Sequence, residues 1–267
     1  MKKWLFLTFV TSLVLAALVL GGCAQSASRT VTEAGSTTVQ PLAEKMAAAF
    51  EAKNPDVTVT IQGGGSGVGI KSAADGTVDI GAASRELNPD EPKLVKHLLA
   101  KDGIAIVVNP SNPVTGLTKD QIIKVFSGEI TNWSELGGTS GTITVVSREE
   151  GSGTRGAFEE MVMGKTLITD KAILQPSNGA LRTAVSTTPL AIGFLSLGYV
   201  DNTVKALEVN GVAPTQENCK SGEYPIVRPL YFLTKEQPTG VVKAFIDFCT
   251  GSEGQEIVQE EGYLSIK

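Results

Sequence analysis

Three times in this chain a β-like run gives way to a turn of glycines and hydroxyl residues and then to a helix-like run. The turns are Gly35-Ser36-Thr37-Thr38, Gly63-Gly64-Gly65-Ser66-Gly67 and Gly151-Ser152-Gly153-Thr154. Strand, tight turn and helix in succession mark an α/β fold, in which ligands sit beyond the carboxyl ends of parallel strands. Such a turn lets the main chain approach a ligand closely. The unpaired N–H groups of the new helix also present partial positive charge to an anion. Arg148 stands just before the third turn, and its planar fork suits a tetrahedral oxyanion.

Other runs fix the order of elements. Leu42, Met46 and Phe50 recur at helical spacing, and Pro41 is tolerated only in a first turn, so a helix starts just after Ser36-Thr37-Thr38 and runs to about Lys53. Val57 to Ile61 alternates as a strand, a short helix runs from about Val68 to Ala74, and Asp79 to Ser84 is a third strand. A helix is predicted from about Asp90 to Ala100, carrying His97 toward solvent, before an apolar strand from Gly103 to Val108 that is buried on both faces. The breakers Asn109 to Pro113 place the first crossing between domains after Val108. Thr118-Lys119-Asp120-Gln121 is a capping box, Thr142 to Val146 a strand that delivers Arg148, and Ala191 to Leu197 another buried strand. Residues 201–222 read as a strand and loops. Pro225 to Leu233 should be the return crossing, followed by two helices, about Thr239 to Cys249 and Glu253 to Glu261.

The first residues are set apart. Lys2 and Lys3 lead an apolar run from Trp4 to Leu20 and then Gly21-Gly22-Cys23, an export signal. The alternative is an uncleaved membrane anchor. Without those lysines the formal charge falls from −5 to −7, which argues against nucleic acid or an anionic membrane surface as a partner. An anion must then be held by a few converging donors. An oxidising exterior permits Cys219 and Cys249 to bridge; two buried thiols is the other reading. With one histidine and no cysteine pair at ligand spacing, neither a metal nor any other cofactor is expected.

Catalytic motifs fail on particular residues. Gly63 to Gly69 lacks the dinucleotide offsets, and Gly164-Lys165-Thr166 would need a glycine where Glu159 stands. Val68 and Glu150 occupy the glycine positions that a nucleophile elbow around Ser66 or Ser152 requires. No catalytic residue is assigned. Glu150 is a candidate to orient Arg148, and Arg85, leaving a strand at its carboxyl end, a candidate second charge at the cleft. Asn132-Trp133-Ser134 is formally a glycosylation sequon.

Together, Gly35 to Thr38, Gly65-Ser66-Gly67, Asp79 to Arg85, Phe126 to Trp133 and Arg148 to Thr154 resemble the phosphate-binding lipoproteins of phosphate ABC transporters, the PstS type. The resemblance runs from about residue 31 to 264. It implies a two-domain, type II periplasmic-binding fold with two crossover strands as hinge. Residues 31–108 plus 226–267 would form domain I and 109–225 domain II. A signal peptide, 1–22, and a linker, 23–30, would precede them, because Leu20 to Cys23 resembles a lipobox with Cys23 as the lipidated residue. Inorganic phosphate would be held by Ser36, Thr37, Ser66 and Arg85 from one side and Arg148, Ser152, Gly153 and Thr154 from the other. The protein would be a monomer on the outer face of the cytoplasmic membrane, tethered by its lipid and delivering phosphate to permease subunits. Receptors for sulfate or molybdate, a secreted phosphoester hydrolase and a sensor domain are the alternatives. Some members of the family carry an aspartate that accepts the proton of hydrogen phosphate where this chain has Arg85, which leaves Glu86 or a backbone carbonyl as the candidate acceptor.

Overall fold

The structure is a computed structural model and describes residues 29–267; the signal peptide, Cys23 and most of the linker lie outside the described residues. The strands are β1 (Arg29–Gly35), β2 (Val57–Gln62), β3 (Ile80–Ala83), β4 (Val95–Val108), β5 (Gly116–Leu117), β6 (Thr144–Arg148), β7 (Ile173–Gln175), β8 (Ala191–Ser196), β9 (Lys205–Ala206), β10 (Glu208–Val209) and β11 (Val227–Thr234). The helices are α1 (Gln40–Lys53), α2 (Ser66–Asp75), α3 (Lys119–Ser127), α4 (Gly153–Phe158), α5 (Asn178–Thr187), α6 (Gln216–Ser221), α7 (Gly240–Thr250) and α8 (Ser252–Glu260).

The strand order β2-β1-β3-β11-β4-β8-β6-β7 divides into two similar halves. In lobe I, β2, β1 and β3 are parallel and β11 runs against them. In lobe II, β7, β6 and β8 are parallel and β4 runs against them. Each half therefore points the carboxyl ends of its parallel strands toward the seam. β4 belongs to both: residues 95–103 pair with β11, and Ile104 to Val108 pair with β8.

Two apolar cores flank the seam. Val31, Leu42, Met46, Phe50, Leu99, Ala100, Leu230, Phe232 and Phe245 fill lobe I. Ile104, Ile106, Phe126, Trp133, Phe158 and Phe194 fill lobe II, where the rings of Phe158 and Phe194 stack at 4.2 Å. The chain thus changes core inside β4, between Ala100 and Ile104, rather than after Val108.

Further expectations are corrected, and of the two readings of the cysteines the buried thiols hold. The segment 90–100 is not a helix: Pro89 and Pro92 interrupt its start, and Val95 onward pairs with β11 as a strand, because burying Leu99 and Ala100 in a sheet outweighs local helix propensity. His97 consequently lies half-buried in β4, with Nε2 3.0 Å from Thr234 Oγ1, and burial pushes its pKa down. Cys219 and Cys249 are separate free thiols, one in the core of each lobe, so no bridge joins them. The 201–222 region also holds a helix, α6, capped by Thr215 Oγ1. At Thr118, both halves of the expected capping box are present.

Candidate functional site

The seam between the lobes gathers the hydroxyl-rich turns. At the end of β1, Gly35 takes φ +143°, and a Cβ there would lie 2.3 Å from Ala82 O, so only glycine allows the turn. Ser36 Oγ then accepts from the N–H of Thr38 and of Val39, at 3.2 and 3.4 Å, and opens the path into α1. Ser66 starts α2 and receives the N–H of Ser84, from the end of β3, at 3.0 Å. From lobe II, β6 ends on Arg148, and Ser152 caps α4 by accepting from Arg155 N at 3.2 Å. Gly153 and Thr154, the first residues of that helix, have no preceding turn to receive their N–H groups.

These groups meet across the seam. Gly67 N donates to Gly151 O at 2.9 Å, and Tyr199 OH to Thr37 O at 2.7 Å. Thr38 and Thr154 hydroxyls lie 3.2 Å apart, and Arg148 Nη2 reaches Thr37 Oγ1 at 3.3 Å. Ser36, Thr37, Ser66, Ser152, Gly153 and Thr154 are all buried. The lobes are closed on one another.

Charge is distributed unevenly among three arginines. Arg148 is 2% exposed; its Nε and Nη2 donate to the carbonyls of Gln175 and Pro176, at 3.0 and 2.8 Å, while Nη1 is buried with no protein partner. Among the described residues, no carboxylate pairs with it. Burial, and then the nearby Arg228, lower its pKa to about 10, so it remains cationic at neutral pH. Arg228, just inside β11, is paired instead: Nε and Nη2 donate to Asp102 Oδ2 at 3.0 and 2.7 Å. Both partners are almost wholly buried. Desolvation raises the pKa of Asp102 against the opposing pull of Arg228 and Ser196.

The remaining expected residues fall as follows. Arg85 turns its guanidinium onto Glu91, with contacts of 2.8 and 2.6 Å, and onto Glu86 O; its charge is spent on the lobe I rim, not in the cleft. Those contacts hold the Glu91 pKa below the ordinary value. Glu150 is exposed, and backbone carbonyls, not its carboxylate, orient Arg148. Glu86 points outward to Lys96 and Tyr231, at 2.8 and 2.7 Å. Asn132 Oδ1 accepts from Ser134 N and Oγ and from Gly141 N, closing its own loop.

Sequence reasoning missed Arg228, Asp102, Asn178 and Ser84. Asn178 Nδ2 donates to Thr38 Oγ1 at 2.9 Å and Thr37 Oγ1 at 3.4 Å. Arg228 Nη2 also reaches Thr38 Oγ1, at 3.0 Å, and Nη1 reaches Ser84 O at 3.2 Å. A signal existed: one arginine inside the otherwise apolar stretch Ile226 to Leu233, and one aspartate inside the buried run of β4, ask for each other as partners.

A family model described as a PBP superfamily domain matches residues 23–253. The chain is 36% identical to the phosphate-binding protein PstS of Bacillus subtilis over 248 residues, covering 91% of this chain and 82% of that one. It is 32% identical to the phosphate-binding protein PstS of Borreliella burgdorferi over 282 residues, covering 100% of each. Among solved structures, a Clostridium perfringens protein crystallised with bound phosphate, and described as a phosphate ABC transporter substrate-binding protein, superposes with a TM-score of 0.87 at 42% identity. That match covers 90% of this chain and 100% of the other. An ABC-type phosphate transport receptor of Vibrio cholerae gives a TM-score of 0.74 at 36% identity, covering 88% and 99%.

Proposed function

Because the chain belongs to the PstS family of phosphate-binding proteins, within the PBP superfamily, we propose that it captures inorganic phosphate between its lobes and delivers it to the permease of an ABC transporter. The observation that carries this reading to particular residues is the buried Arg148, cationic and without a carboxylate, with Nη2 on the Thr37 hydroxyl of the facing lobe and Nη1 left unpartnered. A tetrahedral dianion supplies the missing charge and acceptors.

In this reading Ser36, Thr37 and Ser66 donate from lobe I, and Arg148, Ser152, Thr154 and the main chain of Gly153 from lobe II. Binding between lobes favours the closed state over the open one, since only the closed state brings both donor sets to one ligand. The receptor binds without chemistry and works as a monomer. Cys23 carries the lipid that tethers it to the outer face of the cytoplasmic membrane, and among the described residues no helix is long and apolar enough to cross a membrane.

Two measurements test this. Inorganic phosphate should raise the melting temperature in a concentration-dependent way, by about 4 kcal/mol of added stability at roughly 1,000 times Kd; no shift at millimolar phosphate would contradict the reading. Mass spectrometry of the membrane-extracted protein should find the chain starting at a diacylglycerol-modified Cys23, and an unmodified Cys23 would remove the anchor.

A further inference from the structure

Side chains alternate along β11. Arg228 and Leu230 are buried on one face, and Arg228 reaches the cleft residues Thr38 and Ser84 from there. Val227, Pro229 and Tyr231 take the other face and are only half-buried. Together with Leu98 and Lys101 of β4, and with α6 and the turn after it, they wall a cavity of about 540 Å³. That volume suits a small organic molecule, for which pockets run from about 300 to 1,000 Å³, rather than a bare inorganic ion. Both lobes contribute walls. Leu98 and Tyr231 stand where β4 and β11 pair in lobe I, whereas Cys219, Tyr224 and Leu264 belong to the lobe II core.

The polar groups of these walls decide the class of ligand. Tyr224 OH donates to Ile104 O at 2.8 Å and Tyr231 OH to Glu86 Oε1 at 2.7 Å, so both rings offer mainly their apolar bodies. Glu86, the one carboxylate among the described wall residues, also takes Lys96 Nζ at 2.8 Å. Burial, and then Asp102, push the Cys219 thiol up to about 11, so it stays protonated and is no nucleophile. Lys101 and Lys220 differ from all of these: both are exposed, and among the described residues neither ammonium has a hydrogen-bond or ion-pair partner. Two free cations beside apolar walls complement an anionic head on an apolar body.

We propose that this cavity beside β4 and β11 binds a second ligand, a small organic anion with an apolar or aromatic body, and that its occupation favours the closed lobes. The cavity has this shape only while the lobes meet as they do here, so a molecule that fits it binds the closed form better than the open one. Coupling between two sites is reciprocal. Phosphate in the cleft should therefore tighten the second ligand, and the second ligand should tighten phosphate by the same factor. The site stands on its own walls, whereas the coupling rests on the phosphate reading.

The test is fluorescence titration of the full chain with anilinonaphthalene sulfonate, an aromatic monoanion that reports apolar binding surfaces, without and with saturating inorganic phosphate. One site with a Kd in the tens of micromolar is expected, the ordinary yield for a ligand of about 20 non-hydrogen atoms. Phosphate should tighten it by about fivefold or more. Absence of saturable binding overturns the site, and displacement by phosphate overturns it too, since the dye would then lie in the cleft. Dye affinity that phosphate leaves unchanged overturns the coupling, whereas a calorimetric failure of phosphate itself to bind sinks the phosphate reading and leaves the dye titration as the test of the site. Reversing both charges, Lys101→Glu with Lys220→Glu, should weaken the dye by about tenfold or more while the protein still melts cooperatively. Should the double variant not fold, Lys220→Gln alone is expected to weaken it about threefold. Unchanged dye affinity in the variant that folds would put the dye on another apolar surface and overturn the proposal.

Discussion

Three arginines stand near the carboxyl ends of strands in this fold, and their carboxylate partners decide what each can do. Arg85 is claimed by Glu91 and Arg228 by Asp102, whereas Arg148 is held by two carbonyls and the Thr37 hydroxyl, and its charge is left uncompensated. Removing the Arg85 guanidinium should therefore leave phosphate affinity within about threefold, while costing on the order of 1–3 kcal/mol of stability through the lost charge-assisted contacts. Titration and chemical denaturation of Arg85→Ala check both halves, and a large loss of affinity would return Arg85 to the cleft. Arg148 was legible in the sequence because its turn follows it directly. Arg228 was not, since its partner Asp102 is 126 residues away and only the pairing of β4 with β11 brings them together. Glu91 lies close to Arg85 in sequence, yet nothing local separates a rim ion pair from a ligand contact.

Among the elements, the strand–turn–helix units were readable because glycine and hydroxyl residues punctuate them, and the amphipathic α1 because Leu42, Met46 and Phe50 share a face. β4 was not readable as one strand, since half of it is apolar and half carries Lys96, His97 and Lys101, and its identity is set by two different partners. The start of α4 shows how tightly the turns must meet: a Cβ on Gly153 would lie 2.1 Å from Ser66 Oγ and 2.6 Å from Ser84 Oγ. Gly153→Ala should thus oppose closure and weaken phosphate binding by about a hundredfold or more, equivalent to roughly 3 kcal/mol. Melting without phosphate should change by less than about 1 kcal/mol in stability, because an opened cleft accommodates the methyl group. Wild-type affinity in this variant would mean that the lobes bind ligand without meeting as seen here.

β1 carries a second, independent consequence. Glu33 is 1% exposed in the lobe I core with both carboxylate oxygens unpartnered, and burial, with a smaller push from Glu44, raises its pKa well above the usual carboxylate range. The folded state therefore holds a proton that the unfolded state releases. The stability it contributes is full below the unfolded value of about 4.3 and is lost as pH rises toward the raised folded pKa. Glu33→Gln should flatten that decline in a series of melts at increasing pH, and parallel curves for the two proteins would contradict the assignment.

At the scale of the whole molecule, two similar half-sheets turn their parallel strand ends toward one seam, and β4 and β11 lie side by side across it. The net charge of −5 is the wrong sign to attract an anion from a distance, so recognition has to be local and enclosed. A buried, uncompensated guanidinium destabilises the empty closed form and is relieved when an anion arrives. Arg148→Ala should accordingly lose ligand affinity without losing stability, a trade found where function holds a charge out of water.

That pair of effects can be read in one experiment, calorimetric titration of inorganic phosphate into the wild-type chain and into Arg148→Ala. The expected result is one phosphate per wild-type chain and a variant weaker by roughly 1.5–3 kcal/mol, about ten- to a hundredfold in Kd. Equal affinity in the two proteins, or no phosphate binding by the wild type, would contradict capture of phosphate by Arg148 between the lobes.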